Sequence, residues 1–216
     1  MKKKLLIPAW IAVVGLIAAV ASLAIAADSN RDRKAAGQQQ PQLPHGMTEE
    51  QLKDMIAAGT PGKMHERLLN DVGEWQAKTT MWMTPDAEPL TSDGTCTVAA
   101  MMDGRYIKSE MKGEMPGMGP YHGFGISGYD NVAQKFVSNW IDNHSTGIMQ
   151  GEGELSDDGK TLTWNFTANC PITKKPVAMR EVDTITGPNT KTLEMFGTDL
   201  ASGKEFKMMS IELTKK

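Results

Sequence analysis

Apolar and polar residues alternate with a period of two in short stretches from residue 73 to the end of the chain. The clearest stretch is 161–168, where Thr and Asn occupy one face and apolar side chains the other: Leu162, Trp164, Phe166 and Ala168. This period indicates strands with one buried and one wet face. We therefore predict about ten strands, near residues 75–83, 94–101, 105–115, 121–129, 135–142, 147–155, 161–168, 177–185, 192–199 and 204–214.

Turn residues separate these strands, as in the Asp- and Gly-containing stretch 157–159 and the Gly-Pro-Asn stretch 187–189. No segment after residue 73 is long enough for a crossover helix, so neighbouring strands are expected to be antiparallel. Ten such strands tend to close into a barrel, because closure removes exposed edges. We predict an all-β fold with a single antiparallel barrel over residues 73–216. A bulge is expected near Met208, where the apolar phase of the last strand changes.

Residues 48–72 are predicted to form short helices in front of the barrel. Thr48 and Gln51 fit a capping box, and Gly59 ends the first helix. A second helix is expected over about 64–70. The preceding segment, residues 27–47, contains several Gln and Pro and few apolar side chains, which predicts a disordered tether.

The chain begins with a targeting pattern. Three Lys follow Met1, an uncharged apolar run extends from Leu5 to Ala27, and the small residues Ala24 and Ala26 precede the expected cleavage point. This pattern is typical of a secretory signal, so residues 1–26 are predicted to be a signal peptide and the protein to be exported, periplasmic or secreted. The alternative is an inner-membrane anchor formed by uncleaved residues 5–27, since the run is long enough to span a bilayer.

Composition and charge narrow the possible partners. The chain is 40% hydrophobic and 23% charged, which is ordinary for a globular protein. Without residues 1–26 it would carry 20 basic and 26 acidic residues, a formal charge of −6. No Lys/Arg cluster with interleaved aromatics follows, so nucleic acid is not an expected partner. No stable membrane span is expected after signal cleavage, and the oligomeric state stays open.

Several stretches carry a family resemblance. Gly73-Glu74-Trp75 opens the first predicted strand like the Gly-x-Trp of lipocalin-type barrels. The stretches MDGRY (102–106), GM (117–118), HGFGISGYDN (122–131) and SNWIDN (138–143) resemble the domain-of-unknown-function family 1579 of exported bacterial proteins, over about residues 60–214. The resemblance implies a lipocalin-like β-barrel. It brings no assigned reaction, so no catalytic residue is carried over.

The barrel interior is the candidate ligand site. Seven side chains are predicted to contact a ligand, because alternation points them inward or because they lie at strand ends near a barrel mouth: Met81, Met83, Arg105, His122, Phe124, Trp140 and His144. Methionine and aromatic side chains favour a small apolar or amphipathic ligand, bound without chemistry. Alternatives remain open: an interior filled by side chains, His122 as a satisfied core residue, or Arg105 packed structurally over Trp75. A structural or partner-binding module is the second functional hypothesis.

The chain offers no recognisable catalytic motif. It contains no Gly-x-Ser-x-Gly elbow, phosphate loop or dinucleotide fingerprint, so we predict neither an enzyme nor a cofactor. Cu(I) is a less favoured alternative ligand, because Met115, Met118 and His122, with Met81 and Met83, could supply thioether and imidazole groups. The four His residues lack a metal-binding spacing, and no metal site is predicted.

The two cysteines of the chain, Cys96 and Cys170, are predicted to form a disulfide. An exported chain meets an oxidising environment in which such a bond persists. The alternative is two separated, inert thiols, since pairing requires the two Cα atoms to lie within about 7 Å.

Overall fold

Ten antiparallel strands follow two short helices in the computed structural model, which describes residues 46–216. The predicted signal peptide, the alternative anchor and all but the last two residues of the predicted tether lie outside the described residues. Thr48–Lys216 form one compact unit. Within the described range, no helix combines the length and apolar character needed to cross a membrane.

The strands close into one barrel in which each strand pairs with its sequence neighbours and the last pairs with the first. They are β1 Gly73–Met81, β2 Leu90–Met101, β3 Tyr106–Met115, β4 Gly119–Asp130, β5 Lys135–Asp142, β6 Met149–Leu155, β7 Thr161–Asn169, β8 Pro176–Gly187, β9 Thr190–Thr198 and β10 Glu205–Lys215. The prediction of a single antiparallel barrel of about ten strands is confirmed.

The helices are α1 Glu49–Gly59 and α2 Lys63–Leu69. The predicted capping box is confirmed: Gln51 N donates to Thr48 Oγ1 at 3.2 Å and Thr48 N donates to Gln51 Oε1 at 2.9 Å. Helix α2 packs against β3 and β4 and buries Leu68. We call the end of the barrel that carries α2 the helix end, and the opposite end, where β1 finishes at Met81, the mouth.

The strand register determines which side chains face the interior. Ala77 on β1 is fully buried and pairs with Leu213 on β10, so both lie inside. The register of β10 with β9 shifts between Lys207 and Met209, which confirms the bulge predicted near Met208. The extra residue changes the alternation of the strand, so that Phe206 before the bulge and Ile211 and Leu213 after it all face the interior.

Burial inside the barrel changes from one end to the other. Most of the buried inner side chains gather toward the helix end: Trp75, Ala77, Val98, Ile107, Phe136, Leu162, Trp164, Ile211 and Leu213. Phe166, three residues from the mouth end of β7, is the exception. The inner methionines are only half-buried: Met81, Met111, Met149, Met179, Met195 and Met209. The interior is therefore packed at the helix end, and its side chains retain free surface toward the mouth.

The disulfide prediction is corrected by the structure, in which both thiols are free. Cys96 faces the interior of β2, paired in register with Trp75 near the helix end. Cys170 follows the last residue of β7 at the mouth. The two residues occupy opposite ends of the barrel, so they cannot satisfy the short Cα separation of a disulfide.

The two thiols should differ in reactivity toward a disulfide reagent such as DTNB. Burial raises the pKa of the Cys96 thiol, whereas hydrogen bonds from Thr173 lower the pKa of the Cys170 thiol at the mouth. Since the thiolate is the reactive form, Cys170 should react at least about tenfold faster in the native protein. Cys170→Ser should remove the fast phase. A denatured, unreduced sample that shows no reactive thiol would contradict the correction.

Candidate functional site

One row of inner residues descends from the mouth to the packed core. Met81 pairs with Met209, Met209 with Met195, and Met195 with Glu181. Glu181 pairs in turn with the buried Trp164. Directly opposed residues on neighbouring strands have Cβ atoms about 4.5–5.5 Å apart, so these side chains form a continuous wall. Three methionines thus lead from the mouth to a single carboxyl group.

Trp140, near the mouth end of β5, forms the aromatic part of the wall. Its ring lies over Gly123 and Gly125 of β4, where an added Cβ would stand within 2.9 Å of the indole. Its Nε1 donates to Tyr121 Oη at 2.9 Å. Burial raises the pKa of Tyr121 to about 12, so its hydroxyl keeps its proton at neutral pH. The glycines of the inner face have no side chain, and this leaves the space that the Trp140 and Tyr121 rings occupy.

His144 lies just outside this wall at the mouth. Its ring stacks on Tyr121 with centroids 5.9 Å apart, and its Nε2 donates to the Pro120 carbonyl at 3.1 Å. Its backbone N–H donates to Asp142 Oδ1 at 2.9 Å. The structure therefore brings Met81, Trp140 and His144, three of the predicted site residues, to the mouth half of the barrel.

Glu181 is the unusual residue of the interior. It lies deep inside the barrel, yet its side chain is only half-buried and so borders free space within the lumen. No group of the described chain donates a hydrogen bond to its carboxyl; burial raises its pKa to about 8, with a further contribution from Asp183 that Lys191 opposes. The carboxyl is an acid held without a partner against an otherwise apolar wall.

A buried ion network lies below Glu181 at the helix end. Lys191 Nζ donates to Asp71 Oδ2 and to Asp183 Oδ2, each at 3.1 Å, and Arg67 Nη1 lies 3.4 Å from Asp71 Oδ1. Burial alone would lower the pKa of the Lys191 ammonium, but the two aspartates raise it. All four residues are buried. The two acids and two bases balance in charge, although Arg67 Nη2 and Asp183 Oδ1 have no hydrogen-bond partner among the described residues. Lys191 donates to both aspartates and not to Glu181.

His122 and Phe124 do not face the interior, which corrects the prediction for both. His122 is exposed on the outer wall, where its Nε2 donates to Glu110 Oε1 at 3.0 Å. Phe124 lies under Lys108, with Nζ 4.9 Å from the ring centroid. The neighbouring inner positions of β4 are Gly123 and Gly125, because the Trp140 ring occupies the space that larger side chains would need.

Met83 and Arg105 are also displaced from the predicted site. Met83 lies beyond the end of β1 and is 67% exposed. Arg105 lies at the helix end, where Nε donates to the Gly59 carbonyl at 3.0 Å and Nη1 to Met102 O at 3.1 Å. Arg105 thus holds the end of α1 against the barrel. Its role is structural, but it does not pack over Trp75 as the alternative proposed. The cations that lie over the Trp75 ring are Lys191 and Lys215.

Sequence reasoning missed the polar side of the site. Glu181 and Asp183 occupy the same face of β8 as Met179, and their alternation with Arg180 and Val182 was the available signal. Tyr121 shares a face with Gly123 and Gly125, which could have identified that face as the one receiving a large ring.

The family model "Protein of unknown function (DUF1579)" matches residues 60–215. The chain belongs to this family. The family match and the barrel together confirm the predicted family and its barrel fold, while export stays a prediction. A search of curated proteins gave no match to this DUF1579 protein.

Two solved structures show the same fold at low sequence identity. Rv2717c from M. tuberculosis is 13% identical, with a TM-score of 0.54 over 73% of this chain and 99% of that chain. The S-type phycobiliprotein lyase CPES from Guillardia theta is 9% identical, with a TM-score of 0.50 over 74% of this chain and 96% of that chain. At these identities the likeness concerns the fold alone.

Proposed function

We propose that this DUF1579 protein binds a small amphipathic molecule in the mouth half of its barrel. The observation that carries the proposal is the change of burial along the interior, from fully buried aromatics at the helix end to half-buried methionines and Glu181 toward the mouth. The free apolar surface of this wall can contact the apolar part of an amphipathic ligand, and the unpartnered carboxyl of Glu181 can contact its polar part.

The number of strands supports this use of the interior. Eight-stranded barrels have an interior just wide enough for side chains or one small ligand, and diameter grows with strand number. This barrel has ten strands. Methionine side chains are flexible and polarisable, so they can adapt to an irregular ligand surface.

Export is part of the proposal. The basic start, apolar run and small-residue cleavage pattern of residues 1–26 support secretion to the periplasm or beyond, with an uncleaved anchor over residues 5–27 as the alternative. N-terminal sequencing of protein purified from its source distinguishes them, because cleavage should leave Ala27 or Asp28 first.

We place binding ahead of catalysis because the interior wall holds no nucleophile beside a base. The sulfur of Cys96 faces the interior, but burial raises its pKa and keeps it protonated. A barrel of this fold also occurs in a protein named as a lyase, the S-type phycobiliprotein lyase, so catalysis is the third hypothesis, behind the partner-binding module.

A neutral apolar dye, N-phenyl-1-naphthylamine, should bind saturably with an affinity on the order of micromolar. Binding should raise dye emission and quench tryptophan emission, because Trp140 lines the mouth half. Met195→Trp adds bulk inside the lumen and should weaken dye binding at least about tenfold. The matched control is Phe196→Trp, since residue 196 is the next position on β9 and contacts Arg180 on the outer wall.

Absence of saturable binding to folded protein would overturn the carrier proposal. Equal loss of affinity in the two β9 variants would do the same, because it would place the dye outside the lumen. In either case the partner-binding module becomes the leading hypothesis, and a protein that copurifies from the native source would be the next observation to seek.

A further inference from the structure

We infer that the ligand of the barrel is an organic cation with an apolar body, held with its positive group against Glu181. The inference rests on the proposed binding function and specifies the class of ligand. It is drawn from three features of the interior: the unpartnered carboxyl, the distribution of charge on the inner faces, and the apolar wall that leads to the carboxyl from the mouth.

The first feature is the position of Glu181. It lies five residues inside Pro176, the first residue of β8, which is roughly 16 Å along the strand from the mouth. It borders free lumen space and accepts no hydrogen bond from any group of the described chain. Buried charges in proteins are normally paired, so while it has no partner the carboxyl stays mostly protonated at neutral pH, and its ionised form at this depth calls for a counter-charge from outside the chain.

The second feature is the sign of the remaining inner-face charges. Only two basic residues face inward from the described strands, Lys191 and Lys215, and both lie at the helix end. Lys191 is held by two aspartates, and Lys215 Nζ donates to Asn70 O at 3.3 Å. On the inner strand faces of the mouth half the charged residues are acids alone, Glu181 and Asp142, while Lys174, Lys175 and Lys204 of that end lie in the loops between strands. An anionic head group inside the lumen would find no counter-charge on these faces, whereas a cation would find two.

The third feature is the route between the mouth and Glu181. Met81, Met209 and Met195 form one side of it, and Trp140 stands near the mouth on β5. Thioether and aromatic surfaces accept the apolar body of a cation, and aromatic faces also attract its charge. A molecule with a positive head and an apolar body thus matches the wall along its length.

Protonation should couple to binding because the free carboxyl has a pKa of about 8. Below that pH a cation must displace the proton to gain the ionic contact, so its affinity should fall by up to about tenfold per pH unit from pH 8 to pH 6. The groups facing Glu181 are Asp183 on its own strand, Lys191 and Met195 on β9, and Trp164 on β7. Cys96, Tyr121, Tyr129, Asp142 and Lys215 complete the titratable groups of the inner faces.

The experiment compares three ten-carbon amphiphiles as competitors of N-phenyl-1-naphthylamine: decyltrimethylammonium, decan-1-ol and decanoate. The tail is constant, and the quaternary ammonium does not titrate. At pH 8.5 decyltrimethylammonium should displace the dye at a concentration at least about tenfold below that of the alcohol, with decanoate weakest. The preference for the cation over the alcohol should shrink as the pH falls to 6.

The matched variants are Glu181→Gln and Glu212→Gln. Each removes one carboxylate from a strand, but Glu212 is exposed on the outer wall of β10. Glu181→Gln should abolish the cation preference and its pH dependence, measured as the ratio of the affinities for the ammonium and the alcohol within the same variant. Glu212→Gln should behave like the wild type. The wild-type head-group comparison stands by itself if Glu181→Gln folds poorly.

The outcomes separate the two proposals. If the dye and all three amphiphiles fail to bind, the proposed function fails. If they bind with equal affinity, or if decanoate binds most tightly, the binding function stands and the cation inference is wrong. A cation preference that survives Glu181→Gln also overturns the inference, because it assigns the selectivity to another group.

Discussion

Replacing Lys191 by Ala should lower the free energy of unfolding by about 3–5 kcal/mol, because it leaves two buried carboxylates without their shared cation. Lys191 Nζ lies 3.1 Å from both Asp71 Oδ2 and Asp183 Oδ2. Asp183 Oδ1 has no hydrogen-bond partner among the described residues, so the loss would strip that side chain of its remaining contact. Denaturant unfolding monitored by tryptophan emission measures the change.

Lys207→Ala is the matched control for this prediction. Lys207 Nζ lies 2.8 Å from Glu194 Oε1, a shorter separation than either Lys191 contact, but both side chains are over one-third exposed. Exposed pairs contribute about 0–1 kcal/mol, so the control should unfold within about 1 kcal/mol of the wild type. Similar values for the two variants would show that the Lys191 network is hydrated rather than buried.

The strand pattern allowed the barrel to be predicted because each strand has a single apolar side. The chain has ten alternating stretches with turn residues between them, and no segment long enough for a crossover helix. This pattern predicts an antiparallel meander. Even the phase change at Met208 was interpretable, since a strand that must stay buried can change phase only by a bulge. These features depend on neighbours in sequence, and local reasoning can reach them.

The error on β4 shows the limit of that reasoning. Phe124 is a large apolar residue of the strand and was predicted to face the interior, yet the inner face carries Gly123 and Gly125. The choice is made by Trp140 on β5, whose indole needs the space. Strand alternation gives the two faces but cannot say which is inside when a neighbouring strand supplies the bulk.

The polar site was missed for a related reason. Asp183 and Lys191 are eight residues apart across one turn, but Asp71 is 120 residues from Lys191 in the chain and meets it only after the barrel closes. Glu181 and Arg180 are adjacent charged residues, and alternation places them on opposite faces without saying which of them faces inward. Long-range closure decides that Glu181 is inside and that Arg180 pairs outside with Glu205, at 2.8 Å.

Trp75→Ala should destabilise the barrel by about 3–5 kcal/mol, as truncation of a buried large aromatic commonly does. Trp75 is 4% exposed and lies at the helix end, where its Nε1 donates to the Asp71 carbonyl at 2.9 Å. Lys191 and Lys215 approach its ring to 5.5 and 5.2 Å from the centroid. The indole therefore joins the helical segment, the core and the ion network, and its loss opens a cavity beneath all three.

Two companion variants separate the contributions of Trp75. Trp75→Phe keeps an apolar ring but removes the Nε1 donor, so it should cost less than Trp75→Ala and report the hydrogen bond together with the smaller volume. Trp82→Ala is the control, because Trp82 lies just past the end of β1, is half-buried and contacts Lys207 on the outer wall. Its truncation should cost about 1 kcal/mol or less. If Trp75→Ala lowered the free energy of unfolding no more than Trp82→Ala, Trp75 could not be a tightly packed core residue. The distinction between a packed helix end and an accessible mouth would then lose its main support.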